Sequence, residues 1–420
     1  MEGSVLPKQY VSEEKEQDIK KKKQISLKQE RYFDYNLFII VVFLVSFGLV
    51  MLYSASAYSA QREFGNDLHF FMNQGLISVL GIVGMLVISR INYRLYKHFA
   101  LLIFILSIVM LFLVLTPLGV EINGARRWLM LPIVERTIQP SEVTKIAVII
   151  FLSHRLCKLG KKAYTFWGGL QILGIGGLAG FLVLELTDHL STAIVVMAIA
   201  VGLYFVMHPR YKLFVFFTAL GAIATWIGLR IISARITTST DFRMWRIISW
   251  LDPEGHVETG GFQVLQGLYA IGSGGFFGRG LGNSTQKLGV IPEAHNDMII
   301  AVISEELGVF GVIIILLLFA MLLYRLMFIA QNAPDLFGSL LVIGIFIQIA
   351  VQVVLNIAVV TNMIPTTGIT LPFISFGGTS VMFLLAQIGI ALGVSRQIKL
   401  KGENYESEEG GRLQRTKGQS

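Results

Sequence analysis

Charged side chains are scarce in this sequence and gather in a few short strings, and each string is a candidate for chemistry. Asp297 ends the string Pro292-Glu293-Ala294-His295-Asn296-Asp297, and an apolar run begins at the next residue. A carboxylate at the mouth of an apolar helix has three uses. It can cap the helix, act as a general base, or offer oxygen to a divalent cation such as Mg or Mn. His295, two residues earlier, could orient that carboxylate or simply line an interface. Glu305 and Glu306 invite a paired-carboxylate scheme, but helix geometry opposes it. At about 100° per residue Glu306 lies on the opposite face from Asp297, and roughly 13 Å further along the axis. Both glutamates are therefore read as members of a structural polar network. Glu142 and Lys145, three apart after Gln139-Pro140-Ser141, can pair on one helix face, with Pro140 in the first turn.

Positive charge falls near the same strings. Arg126-Arg127-Trp128, the stretch Arg243-Met244-Trp245-Arg246, and Lys287 could neutralise an anion that builds up during a reaction. Arg127 and Lys287 lead, with Arg126 and Arg243 in reserve. Gly272, Gly274, Gly275, Gly278, Gly280 and Gly282 precede Lys287. Their spacing excludes a nucleotide loop. A G-x-G-x-x-G frame from Gly272 meets Phe277, one from Gly278 meets Asn283, and no Gly-Lys-Ser/Thr follows. The glycines serve either tight turns or a backbone-amide cradle for a lipid-linked phosphate. Asp188 and His189 are equally open between structural and functional roles.

The elements that hold these strings are set by composition. Of 420 residues, 54% are hydrophobic and only 15% charged, against about 25% charged in soluble domains. Mean hydropathy is +0.66. About ten helices of about 20 residues would absorb this apolar content, so the expected fold is an all-α integral membrane protein. Ten candidate spans lie at approximately 37–56, 70–89, 99–116, 141–156, 165–186, 191–207, 212–233, 298–324, 337–361 and 380–397. Cys157 is the sole cysteine, which excludes an internal disulfide framework.

Charge then orients the spans. Arg90, Arg94, Lys97, Arg155, Lys158, Lys161, Lys162, Arg210, Lys212, Arg325, Arg396, Lys399 and Lys401 share one side with the run Lys20 to Lys23. Basic residues mark the cytoplasmic side, so both termini are expected there. The net charge of +8 is then a matter of topology and implies no nucleic acid. The polar segments 1–35 and 399–420 read as disordered tails around a membrane domain spanning 36–398. Two connections break the pattern: one near 117–140, and a long extracytoplasmic loop, 234–297, between the seventh and eighth spans. Long loops commonly carry function, and both hold arginines. Pro365 to Gly368 and Leu371 to Ser380 form a Pro/Gly-rich entry to the last span. Unwound backbone at that depth needs protein or water around it, which points to a cavity shared with the long loop.

Together these strings resemble the SEDS family (shape, elongation, division and sporulation), which includes FtsW, RodA and SpoVE. The resemblance covers about residues 36–398. It rests on Arg126-Arg127-Trp128, Gln139-Pro140-Ser141-Glu142 with Lys145, Leu251-Asp252-Pro253, Gly261-Phe262-Gln263, Gly272-Ser273-Gly274-Gly275 through Lys287, Pro292 to Asp297, Glu305-Glu306-Leu307-Gly308, and Pro372-Phe373-Ile374-Ser375. Ala294 is closer to the FtsW and SpoVE pattern than to RodA. The family usually has Thr at Asn296, Phe at Met298 and Tyr at Phe262. It usually reads Gln-Pro-Asp-Leu-Gly-Thr within Glu185 to Thr192, so no role is carried onto Asp188.

The resemblance implies ten spans and a bacterial peptidoglycan glycosyltransferase that polymerises lipid II at the outer face of the cytoplasmic membrane. Asp297 matches the family's essential catalytic aspartate. Implied partners are a class B penicillin-binding protein, other division proteins and the undecaprenyl-diphosphate-linked glycan. The departing diphosphate is already ionised and, unlike a glycoside leaving group, needs no protonating acid, so one carboxylate suffices. The alternatives are a lipid II flippase, with intramembrane Glu142, Lys145, Asp188 and Glu306 lining a path, or a non-catalytic division scaffold.

Overall fold

The computed structural model describes residues 32–122, 125–131, 136–208, 223, 242–257, 261–285 and 294–399. Three helices come first: α1 (Tyr35–Phe64), α2 (His69–Ile88) and α3 (Arg94–Leu113). A small sheet follows, formed by β1 (Gly119–Ile122), β2 (Ala125–Leu131) and β3 (Arg136–Ile138). Then come α4 (Pro140–Leu159), α5 (Phe166–Thr187), α6 (Leu190–Met207), α7 (Phe242–Leu251), α8 (Gly261–Gly274), α9 (Ile299–Gln331), α10 (Leu336–Val360) and α11 (Thr379–Ser395).

Seven of these helices, α1, α2, α3, α5, α6, α9 and α10, are long and apolar enough to cross a membrane. Their exposure says what solvent they need. The apolar windows of α2 and α3 are only 22% and 17% buried, yet have hydropathies of 2.0 and 2.2. Leu95, Phe99, Leu102, Ile105, Leu106 and Val109 of α3 all face outward, an apolar surface that water does not tolerate on a soluble monomer. Among the remaining expected spans, α4 carries Glu142, Lys145, Arg155 and Lys158, and α11 has 17 residues. The span expected at 212–233 falls outside the described residues. The core gathers around α4, α10 and α11, whose aliphatic side chains mesh with those of α1, α6 and α9.

Three sequence expectations need correction. The connection near 117–140 is not a plain loop but an antiparallel sheet in the order β1-β2-β3, with Leu129 paired to Gly119 on one side and Ile138 on the other. The fold is therefore mostly helical rather than all-α. The stretch 234–297 contains α7 and α8, so its described part is largely helical. Finally, the segment read as a tail ends short of Tyr32. Asp34 accepts a hydrogen bond from the Leu37 amide at 2.9 Å, capping α1, and pairs with Arg325 of α9 at 2.7 Å.

The long helix α9 is interrupted. Gly308 sits at φ 69°, ψ −172°, and backbone bonds from a neighbouring segment replace the missing helical ones. The Arg279 and Gly280 amides donate to the Glu305 and Glu306 carbonyls, each at 2.9 Å. In return the Val309 and Phe310 amides donate to the Gly275 and Phe276 carbonyls at 3.1 and 3.0 Å. The glycine-rich segment is thus a clasp on a broken helix, and its Arg279 and Gly280 amides are occupied, which removes them from any phosphate cradle. The glutamate side chains lock the same joint. Glu305 accepts from Ser284, Thr285 and Arg279, and Glu306 accepts from Ser54 of α1 at 2.7 and 2.8 Å.

A side chain at Gly278 would not fit this clasp. Its φ is +78° and an added Cβ would lie 2.2 Å from the Glu306 carbonyl oxygen. Gly278→Ala is expected to cost about 2–4 kcal/mol, combining left-handed strain with overpacking. Gly275→Ala, also at positive φ but with open space around it, should cost only about 1–2 kcal/mol. Thermal unfolding of the two purified variants in detergent checks the difference.

Candidate active site

Asp297 lies in the turn at residues 294–298 that leads into α9. The N-cap position falls to Met298, with no side-chain cap bond, so Asp297 does not serve as the N-cap residue. The residue is 7% exposed. Gln263 of α8 donates its Nε2 to Asp297 Oδ1 at 3.4 Å. Asn356 of α10 donates to the Asp297 backbone oxygen at 2.9 Å and to the Ile369 oxygen at 2.7 Å. The Phe376 amide donates to the His295 carbonyl at 2.9 Å. His295 itself packs its ring against Phe70 and Phe376, with centroids 4.8 and 5.7 Å away.

The non-helical segment 361–378 is the hub for these contacts. Its amide at Gly378 donates to Gln74 of α2 at 3.1 Å, its Thr367 carbonyl accepts from Ser191 of α6, and Thr379 just beyond it reaches the Thr137 carbonyl of β3. Leu371, Phe373, Ile374 and Ser375 are buried. Protein therefore surrounds the 371–375 part of this stretch of unwound backbone, while 364–368 and 376–378 are only half-buried.

One arginine acts on the acid and a second stands next to the first. On β2, successive side chains alternate between faces. Arg127 therefore shares the inward face with buried Leu129, while Arg126 is exposed. Arg127 donates through Nη2 to the Asp188 carbonyl at 3.2 Å. Arg246 comes from α7, one helical turn before Trp250, whose indole donates to the Asn362 carbonyl at 3.0 Å. That docking turns the Arg246 face toward the hub. Burial lowers the Arg246 guanidinium from its ordinary range, and the Asp297 charge opposes the shift. Burial also lowers Arg127, the Arg246 charge lowers it further, and Asp188 opposes. Two partly desolvated guanidiniums thus repel each other, with Asp297 acting on Arg246 and Asp188 on Arg127.

His189 lies beside these arginines as a neutral imidazole. Its Nδ1 accepts from the Thr192 amide at 3.2 Å and caps α6. Burial, then Arg127, Lys145 and Arg246, push this imidazole down to about 3. Lys145 is paired with Glu142 at 2.8 Å, both nearly inaccessible. Asp188 takes a left-handed conformation at φ 50° at the end of α5, and its backbone oxygen, not its carboxylate, receives Arg127.

Other candidates fall elsewhere. Lys287 lies outside the described residues, and for Arg243 only the backbone of α7 is described. Among the described residues no three His, Cys, Asp or Glu side chains gather as a metal cage. A cation at Asp297 would take that single protein carboxylate and complete its shell with substrate oxygens, a mode Mg²⁺ commonly uses.

Comparison with known proteins identifies the family. The family described as cell cycle protein, comprising FtsW, RodA and SpoVE, matches residues 35–400. The chain is 40% identical over 365 residues to stage V sporulation protein E of Bacillus subtilis (strain 168), covering 86% of this chain and 97% of that protein. The chain belongs to the FtsW/RodA/SpoVE family. It is also 38% identical over 376 residues to the probable peptidoglycan glycosyltransferase FtsW of Trichlorobacter lovleyi, covering 88% and 94%. Among solved structures it resembles a chain of a peptidoglycan synthase complex that coordinates polymerization and crosslinking, with TM-score 0.71, 27% identity and coverage of 88% and 99%. The rod shape determining protein RodA of Thermus thermophilus gives TM-score 0.63 at 26% identity, covering 88% and 98%.

In this FtsW/RodA/SpoVE family member, a multi-pass membrane protein, three site residues escape sequence reasoning. Arg246 was indistinguishable from Arg243 without a helical frame, and nothing marked Asn356 within an apolar span. His189 was visible but had no partner until the sheet brought Arg127 to it. A pH dependence follows from His189. Its folded pKa lies below the ordinary 6.5, so between about 3 and 6.5 the unfolded chain binds a proton that the folded one refuses. The stabilisation is complete above 6.5 and is lost as pH falls toward 3. His189→Asn, which keeps a capping oxygen, should flatten that acid-side loss. Apparent melting temperature of both proteins between pH 7 and pH 4 measures it.

Proposed function

We propose that this chain is a peptidoglycan glycosyltransferase that polymerises lipid II at the outer face of the bacterial cytoplasmic membrane. The observation that carries the reading is a buried carboxylate, Asp297, whose charge acts on Arg246, with Arg127 within electrostatic reach of Arg246. The family membership supports the same conclusion, since relatives are named as probable peptidoglycan glycosyltransferases.

The chemistry fits that asymmetry. The 4-hydroxyl of one lipid-linked saccharide attacks the anomeric carbon of another, and the bond to the diphosphate breaks. Asp297 takes the hydroxyl proton, a contribution of about 10²–10⁴-fold. Arg127 and Arg246 neutralise the departing diphosphate in a desolvated setting, where fixed charges act most strongly. A divalent cation held by Asp297 and phosphate oxygens would supply further charge neutralisation. Attack from the face opposite the leaving group inverts the anomeric centre. The remaining placement follows from this reading: ten spans with both termini cytoplasmic, 234–297 extracytoplasmic, and a class B penicillin-binding protein as transpeptidase partner.

Asp297→Asn should abolish polymerisation of purified lipid II in detergent while leaving the melting temperature unchanged. Normal glycan strands from that variant, or no strands from the wild type with its partner present, would refute the base assignment or favour a flippase, respectively. Arg246→Gln and Arg127→Gln should each slow polymerisation by about 10²–10³-fold. Arg126→Gln, on the exposed face of β2, should change it less than about threefold, near the scale of surface substitutions. Gel analysis of the products compares all four.

A further inference from the structure

We propose that Asn356 is a positioning residue that sets the height and direction of Asp297, an inference that rests on reading Asp297 as the base. Asn356 is fully buried on α10, in register with Gln352 and Gln348 four and eight residues earlier. These three share one helix face, a polar stripe inside an otherwise apolar span. Its amide nitrogen carries two protons and spends both. One goes to the Asp297 carbonyl, 59 residues earlier in sequence, and one to the Ile369 carbonyl, 13 residues later.

That double bond pattern joins two non-helical backbones. The turn at 294–298 leads into α9, and its Met298 carbonyl accepts from the Ala301 amide at 2.9 Å. Further back, the Phe376 amide reaches the His295 carbonyl and Asn356 reaches the Asp297 carbonyl. Of these backbone ties the one at Asp297 runs through a side chain and can be removed by substitution; the Gln263 contact goes to the carboxylate instead. Without Asn356 the Asp297 and Ile369 carbonyls lose this donor, a cost in a low-dielectric interior, and the turn shifts. A shift of about 1 Å at a reacting group costs about 100-fold in rate. Arg127 and Arg246, which receive the diphosphate, stand on β2 and α7, and Asn356 donates to neither element. The predicted defect is therefore in turnover and not in substrate affinity.

The experiment measures initial rates of lipid II polymerisation against lipid II concentration with the full-length protein and its transpeptidase partner. Asn356→Leu keeps the branching at Cγ and removes both donors. It should lower kcat about 100-fold with KM within about twofold. Asn356→Asp is isosteric, and burial favours its protonated form, which retains one O–H donor. It should recover about tenfold of the loss, roughly one good hydrogen bond. Its rate should fall again at alkaline pH, where ionisation removes that donor and the wild type stays level. Wild-type kcat in the Leu variant, a loss carried by KM, or an Asp variant no better than Leu would overturn the proposal. If the Leu variant does not fold, the alkaline fall of the Asp variant decides alone, and a level profile overturns it. Failure of the parent reading looks different: there Asp297→Asn itself remains active.

Discussion

Inside a bilayer no water is available to a backbone amide or carbonyl, so each must find its partner within the protein. Among the described residues, helical regularity breaks around Gly308 and across residues 361–378. Everything distinctive about the molecule follows from how those breaks are repaired. The first is closed by the glycine-rich clasp and by two buried glutamates. The second is closed by donors and acceptors from α2, α6, α10, β3 and the turn before α9. The second repair brings distant parts of the chain to Asp297, while the first lies about three turns further along α9. The polar groups that close the second break and those needed for reaction are drawn from the same neighbourhood.

The charge arrangement has its own economy. Acid and guanidinium groups stand on separate elements: Asp297 on the turn before α9, Arg246 on α7 and Arg127 on β2. A salt bridge made within one helix would satisfy its members and leave nothing for a substrate, as Glu142 and Lys145 show on α4. Separate mounting sets Arg246 near Asp297 and Arg127 near Asp188, so a departing diphosphate can compete for both guanidiniums. His189 stays neutral beside them because burial and three cations disfavour its proton. It caps a helix without adding to the repulsion.

Much of this was legible in the sequence, and the reasons for the gaps are physical. Long apolar runs revealed the helices because a span must be apolar over about 20 residues. Pro140 and the three-residue spacing of Glu142 and Lys145 revealed how α4 starts, since both are local rules. Asp297 stood out as an acid bordering an apolar run. The small sheet escaped because its strands are three to seven residues long and bury one face against helices remote in sequence. The helices within 234–297 escaped because α8 is rich in glycine, which disfavours an isolated helix but lets Gly274 approach the α9 backbone. Arg246 could not be told from Arg243 until Trp250 was seen docked on Asn362. Asp34 looked like the end of a polar tail because its partner, Arg325, is 291 residues away.

The central claim is spatial: a lipid-linked diphosphate sits between two guanidiniums with its sugar facing Asp297. An electron cryomicroscopy map of the Asp297→Asn protein bound to lipid II tests this most directly, because the variant holds substrate without consuming it. The account predicts diphosphate density within about 4 Å of both the Arg127 and Arg246 guanidiniums, the range of a charge-assisted contact, with the saccharide against residue 297. Diphosphate density at the opposite face of the membrane, or with neither arginine in contact, would contradict it.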